Sequence, residues 1–280
     1  MIIGYLSLFI YILTISLSTV FLDQIGNNYN FWFTLLITQL AALIVFNLIN
    51  YKVVIESHLK ALKFKKEWLL TNISILFVTA LSYYTVINSS ADFVIAVFFL
   101  ANAILAAFFA KDYFKTIVCT LTLLICFLAD GEVSFFVFIC SVLAGFFSYF
   151  YSIISNEFIK KAELKVSAFL SLRFYIIIFI ALVGLVHYSG LNSLHYFHIS
   201  SLCVLSILGL ANIVIPVYFS QKSLFLLGVK KFSYTVTFLP IITYFIESIV
   251  KNDFPVYFFL ACLLTTVALN YDVVKNWIKK

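Results

Sequence analysis

Residues 91–115 read ADFVIAVFFLANAILAAFFAKDYFK. From Phe93 to Ala110 there is no charged side chain, while Asp92 stands at one end and Lys111 and Lys115 at the other. A helix crossing a bilayer needs about 20 apolar residues, and this stretch supplies them with a change of charge sign from end to end. Runs of the same kind recur on both sides of it, at 2–22, 30–50, 68–87, 114–129, 133–155, 166–187, 199–220, 232–250 and 254–274. They are continuous rather than alternating, which speaks against a lipid-facing barrel. A helix also satisfies its own backbone hydrogen bonds within each crossing. The expected fold is an all-α integral membrane protein of ten transmembrane helices.

Composition agrees. Across 280 residues, 64% are hydrophobic and 11% charged, with a mean hydropathy of +1.11, against about 25% charged in soluble domains. A water-soluble globular protein is excluded. Ten crossings use about 200 residues, so an enzyme domain on a membrane anchor has no room either. The net charge of +6 is scattered between apolar runs and forms no patch for nucleic acid. Cys119, Cys126, Cys140, Cys203 and Cys262 lie within apolar runs at unpaired spacing and read as small buried hydrophobes. The first run lacks a basic start or small-residue cleavage site and is expected to stay on as a span.

With the N-terminus in the cytoplasm, the inner connections collect sixteen of the eighteen basic residues, among them Lys63, Lys111, Lys161, Lys231 and Lys275. The outer connections hold Lys251 beside Asp23, Asp92, Asp130, Glu132 and Asp253. This bias sets orientation and places both ends inside. The only seam is Asp130-Gly131-Glu132, dividing the chain into 1–130 and 131–280, five spans each. An odd number per half makes the second half enter upside down, the topology of inverted repeats. Phe99-Leu100-Ala101 followed by Lys111-Asp112-Tyr113-Phe114 has a counterpart in Phe238-Leu239-Pro240 followed by Lys251-Asn252-Asp253-Phe254. Gln39 and Arg173 occupy comparable places in the second and seventh spans.

These features resemble the EamA-type members of the drug/metabolite transporter superfamily. The resemblance covers nearly the whole chain. Its more specific pieces are Ala80-Leu81-Ser82-Tyr83-Tyr84-Thr85 running on to Asp92, and the stretch from Ser223 through Gly228 and Ser233 to Phe238-Leu239-Pro240. Ala101-Asn102 departs from the family by replacing the proline of the first repeat, and Asp112 and Asp253 stand where a glutamate is usual. The resemblance implies export or uptake of a small metabolite. The expected function is secondary transport of a small polar metabolite by alternating access, driven by a gradient. The richness in Phe, Ile, Lys, Asn and Tyr points to the cytoplasmic membrane of a bacterium.

Spans two, three, four, seven and eight would line a central site, with Gln39, Tyr84, Asn102, Arg173, Asn212 and Tyr218 as substrate-binding candidates and Tyr149 from the sixth span beside them. Each neutral group has a second reading, as a helix–helix hydrogen bond. A charge inside a span is costly and invites a functional role. For Arg173 two readings stay open: a fork of donors for a substrate anion, or a side chain snorkelling to the headgroups. Glu247 is either a surface partner of Lys251 at i+4 or a protonatable coupling residue. Pro216 and Pro240 remove backbone donors and are candidates for kinked gating elements.

The segment Tyr51–Trp68, rich in lysine, reads as an ordinary inner loop, with a lipid-binding amphipathic helix as the alternative. His187, His195 and His198 match no metal-site spacing. There is no nucleotide-binding or hydrolase motif, and no cofactor is expected. The expected partners are a small-molecule metabolite and the lipid bilayer, with the oligomeric state open, a monomer included. The competing function is a membrane-embedded transferase acting on a lipid-linked substrate. Against it, the longest outer loop, 188–198, contains neither Asp nor Glu.

Overall fold

The computed structural model describes residues 2–26, 28–129, 133–189, 198–252 and 256–278. Asp130, Gly131, Glu132, His195 and Asp253 fall outside them. All regular structure among the described residues is helical: α1 (Ile2–Gly26), α2 (Phe31–Ile49), α3 (Val54–Lys63), α4 (Lys65–Ile87), α5 (Ala91–Phe109), α6 (Tyr113–Ala129), α7 (Phe135–Lys161), α8 (Val166–Leu170), α9 (Tyr175–Ser189), α10 (Ile199–Gly209), α11 (Ile215–Leu227), α12 (Val229–Thr235), α13 (Leu239–Lys251) and α14 (Val256–Ile278). Counted through their breaks, eight helical segments are long and apolar enough to cross a membrane, and two shorter apolar helices lie at 113–128 and 259–271.

Beside a buried core that includes Phe33, Phe46, Phe158 and Phe169, the molecule turns many large apolar side chains outward. Ile2, Leu48, Phe114, Leu128, Phe135, Ile249 and Leu264 are exposed, while Ser16, Thr34, Thr38, Gln39, Ser141, Ser155, Ser171 and Thr266 are buried between helices. Small hydroxyl residues inside and hydrocarbon outside are what lipid as a solvent favours. Local signals start several helices. The Asn30 side chain accepts from the N–H of Trp32 and Phe33 to cap α2, and Ser134 accepts from Val137 N–H to cap α7.

Paired side chains give the helix directions. Trp32 stacks on Tyr188 and Phe46 on Phe174, so α2 runs antiparallel to the α8–α9 segment. Ser18 donates to Asn212 while Gly4 packs on Leu227, so α1 is antiparallel to α10–α11. Glu67 pairs with Lys161, Phe77 stacks on Phe147 and Tyr84 meets Phe136, which makes α4 antiparallel to α7. In α6 and α14, Thr122 bonds to Thr265, while Lys115 early in α6 and Tyr271 late in α14 line one surface hollow, again antiparallel. Gly145 lies against the Phe98 carbonyl while Asn102 donates to Ser148, so α5 and α7 run parallel.

Three of the expected spans are interrupted. The seventh, read as continuous over 166–187, breaks at 171–174 between α8 and α9. The eighth contains a wide turn, Leu210–Val214, in which Ile215 N–H reaches back to the Leu210 carbonyl, just before Pro216. The ninth tightens at Val236–Phe238, where Leu239 N–H bonds to the Val236 carbonyl, just before Pro240. A proline has no N–H for the carbonyl four residues back, and each irregular turn absorbs that deficit. By contrast α1, α2, α4, α5, α6 and α7 are unbroken; with Asn102 in place of a proline, α5 stays regular.

The connection 51–68, expected as an inner loop, is not an extended loop. It contains α3, whose Ser57 and Ala61 pack inward while Ile55, Leu59 and Leu62 are exposed on the opposite face. His58 bonds to the Tyr175 hydroxyl at 2.6 Å and fixes α3 beneath α9. Between α11 and α12 the chain turns on one residue, Gly228, at φ 78° and ψ 161°, a backbone region that is essentially glycine's alone.

Candidate binding cavity

The break at 171–174 exposes backbone groups that a continuous helix would pair internally. The Leu172 carbonyl is met by two donors from α4, Trp68 Nε1 at 2.9 Å and Asn72 Nδ2 at 3.1 Å. Irregular backbone at membrane depth persists where protein satisfies it or where it borders a cavity, and both conditions hold here. Arg173, the next residue, lines a cavity of about 160 Å³.

Its walls come from α1 (Tyr11, Ile15, Thr19, Leu22), α2 (Gln39), α4 (Ile75 to Val86), α5 (Val94, Ile95, Phe98, Phe99), the break (Arg173), and the wide turn and α11 (Asn212, Ile213, Val217). The surface is mostly hydrocarbon and aromatic, with a few convergent polar groups, the usual make-up of a small-molecule site. One of these lining residues is charged, Arg173.

Arg173 is buried. Its Nη1 donates to the Tyr151 hydroxyl at 2.6 Å, and its guanidinium carbon lies 4.9 Å from the Tyr151 ring and 5.2 Å from the Phe174 ring. Tyr151 in turn donates to Gln221 Oε1 at 2.9 Å, and Gln221 Nε2 donates to Ser155 at 3.3 Å. This chain ties α7 to α11 behind the arginine. Among the described residues the Arg173 Nε–H has no hydrogen-bond partner, nor has Gln39 Nε2, although both side chains are buried.

On another wall Asn212 joins three helices. Its Oδ1 accepts from Ser18 at 3.0 Å and its Nδ2 donates to the Tyr83 hydroxyl at 3.4 Å, which donates to Thr38 at 3.3 Å. The wide turn places Asn212 where α1, α4 and α2 converge.

Of the substrate-binding candidates, Gln39, Arg173 and Asn212 line the cavity. Tyr84 lies on the outer surface of α4 against Phe136. Asn102 is buried between α5 and α7, donating to Ser148 at 3.2 Å. Tyr149 stacks on Phe109, and Tyr218 turns toward Lys222, whose ammonium lies 5.7 Å from its ring. In both tyrosine pairs the neighbour carries the contact: Tyr83 lines the cavity in place of Tyr84, and Tyr151 holds Arg173 in place of Tyr149. Helical positions one and two apart differ by about 100° and 200°, and within these apolar stretches no amphipathic pattern chooses between the two tyrosines.

The proposed gating residues lie around this site rather than in it. Pro216 and Pro240 follow the two irregular turns. Glu247 is buried at the start of α5, where its Oε2 accepts from Asp92 N–H at 2.6 Å and its Oε1 from Lys251 at 2.5 Å. It therefore caps a neighbouring helix. No protein-family model matches the chain, and no curated protein does.

Proposed function

We propose that the protein is a secondary transporter that moves a small metabolite through the cavity by alternating access, in two opposed sets of five spans with both ends cytoplasmic. The observation that carries this reading is the cavity itself, walled by helices from both sets and floored by a discontinuous helix. Discontinuous helices at such a position are how many transporters expose backbone and side-chain groups to a substrate.

The packing supports two related halves. Exchanging each helix of 1–130 for its counterpart in 131–280 maps the α1 contact with α10–α11 onto that of α7 with α4. It returns the pairing of α2 with α8–α9, and that of α6 with α14, to itself. The parallel pair α5 and α7 maps onto α13 and α1, where Thr243 donates to Ser16 at 2.9 Å. The turns after α5 and α13 also match: Lys111 and Asn252 both adopt the left-handed conformation, at φ 57° and 55°. Every antiparallel pair named above joins two spans of opposite direction in a ten-span count, and the parallel pair α5 and α7 joins spans of the same direction.

Transport is favoured over lipid-linked transferase chemistry because none of the residues lining the cavity is Asp, Glu or His. Acid–base work in such a transfer is carried most often by one of these side chains within reach of the reacting atoms. The test is two-sided accessibility. In a variant freed of its native cysteines, Thr79→Cys should react with a membrane-impermeant maleimide applied from the outer face and, in a separate preparation, from the inner face. Reaction from one face alone would favour an enzyme site with a single mouth.

A further inference from the structure

We infer that the ligand is a small monocarboxylate with an apolar or aromatic body, whose carboxylate is held by Arg173 and Gln39. The inference rests on the transport reading for its location but draws on separate observations.

The first is charge. Arg173 is buried to 5% exposure at the cavity wall, and a guanidinium does not lose its proton in proteins. No ion pair of Arg173 is present among the described residues, and the lining residues include no carboxylate. Its protein partners are a neutral hydroxyl and two ring faces. A buried charge compensated only in this way is held at a cost, and a ligand of single negative charge removes the cost where one of double charge would overshoot.

The second is the direction of the spare hydrogen bonds. Arg173 Nε–H and Gln39 Nε2 are donors, both buried and without a partner among the described residues, on residues that line the same cavity. A carboxylate supplies an acceptor for each once the two side chains turn their spare N–H toward it. A cationic amine would bring further donors and would face Arg173 as a like charge. The aromatic faces nearest the arginine, Tyr151 and Phe174, are already engaged by its own guanidinium.

The third is the remaining surface. Ile15, Ile75, Val78, Val94, Phe98 and Phe99 present hydrocarbon. A dry engineered cavity of about 150 Å³ accepts benzene, so about 160 Å³ suits a body of that order.

The experiment is a thermal-shift measurement on the full-length purified protein with three probes of one shape, phenylacetate, 2-phenylethylamine and 2-phenylethanol, at equal concentration. A ligand that binds the folded state raises Tm. Phenylacetate should raise it and the other two should not. Arg173→Gln should abolish the shift, Arg173→Lys should retain part of it, and Gln39→Leu should reduce it with Arg173 intact. The Gln39 variant keeps the question decidable if Arg173→Gln does not fold. A shift by the amine or the alcohol equal to that by phenylacetate, a shift that survives Arg173→Gln or is unchanged in Gln39→Leu, or no shift with any probe would overturn the assignment. None of these results touches the two-sided labelling of Thr79→Cys, so the ligand class can fall while the transport reading stands.

Discussion

Trp68 donates its indole N–H to the carbonyl of Leu172 at 2.9 Å, across the junction of α4 with the broken seventh span. Asn72, one turn further along α4, donates to the same oxygen at 3.1 Å. Together they hold open the irregular turn that presents Arg173.

These two donors back each other up. Trp68→Phe or Asn72→Leu alone should lower stability by about 1 kcal/mol beyond any packing change, the usual net worth of one hydrogen bond. The double variant leaves the carbonyl buried and unsatisfied, which costs about 1–3 kcal/mol. Its loss should therefore exceed the sum of the single losses, and a double-mutant cycle by denaturant unfolding measures the excess. Strict additivity would mean that water or another donor replaces them.

Two glycines should be indispensable for opposite reasons. A Cβ at Gly145 would lie 2.3 Å from the Phe98 carbonyl oxygen and 2.7 Å from Ala101 Cβ, so Gly145→Ala must force α5 and α7 apart. Overpacking of this kind costs about 1–3 kcal/mol or more. At Gly228 a Cβ would meet nothing within 4 Å, but φ is 78°, and a side chain there costs about 1–3 kcal/mol in backbone strain. Gly228→Ala should lose stability without disturbing the helix–helix distances, whereas Gly145→Ala should shift them, as a spin-label pair across α5 and α7 would report.

Glu247 is expected to act as a cap. Ser90 precedes α5 without a side-chain bond to its backbone, and Glu247 supplies the acceptor from α13 instead. Glu247→Gln keeps an acceptor for Asp92 N–H and loses only the ion pair with half-exposed Lys251, so it should cost less than about 1 kcal/mol. Glu247→Ala removes the cap and should cost about 1–2 kcal/mol in thermal unfolding. Transport by Glu247→Gln should keep the pH dependence of the parent, because the carboxylate does not line the cavity. A flattened pH profile would return it to the role of coupling residue.

What the sequence made legible was set by chemistry that acts locally. Apolar length marks a span, so the eight long helices appear where the runs are, and Pro216 and Pro240 announce the turns beside them by their missing N–H groups. The break at 171–174 gave no such warning. Ser171, Leu172 and Arg173 are all tolerated in a helix, and what stabilises the break is a pair of donors about a hundred residues away in α4. Gln39, Arg173 and Asn212 stood out as polar groups in apolar runs, and they do converge. Tyr83, Tyr151 and Gln221 are connected by contacts across helices, which no periodicity within one helix encodes. The lysines of 51–68 suggested a loop by their charge, while Ile55, Leu59 and Leu62 at helical spacing carried the α3 signal.

Every functional statement above rests on the proposed ten spans and opposed halves, and one topology measurement addresses both. Single cysteines at Asn88, Val133 and Lys251, in a variant freed of its native cysteines, should react with an impermeant maleimide on intact cells. Those at Lys63, Lys111, Lys161 and Lys231 should react only after permeabilisation. Labelling of Lys63→Cys and Val133→Cys from the same face would contradict the arrangement and the pathway built on it.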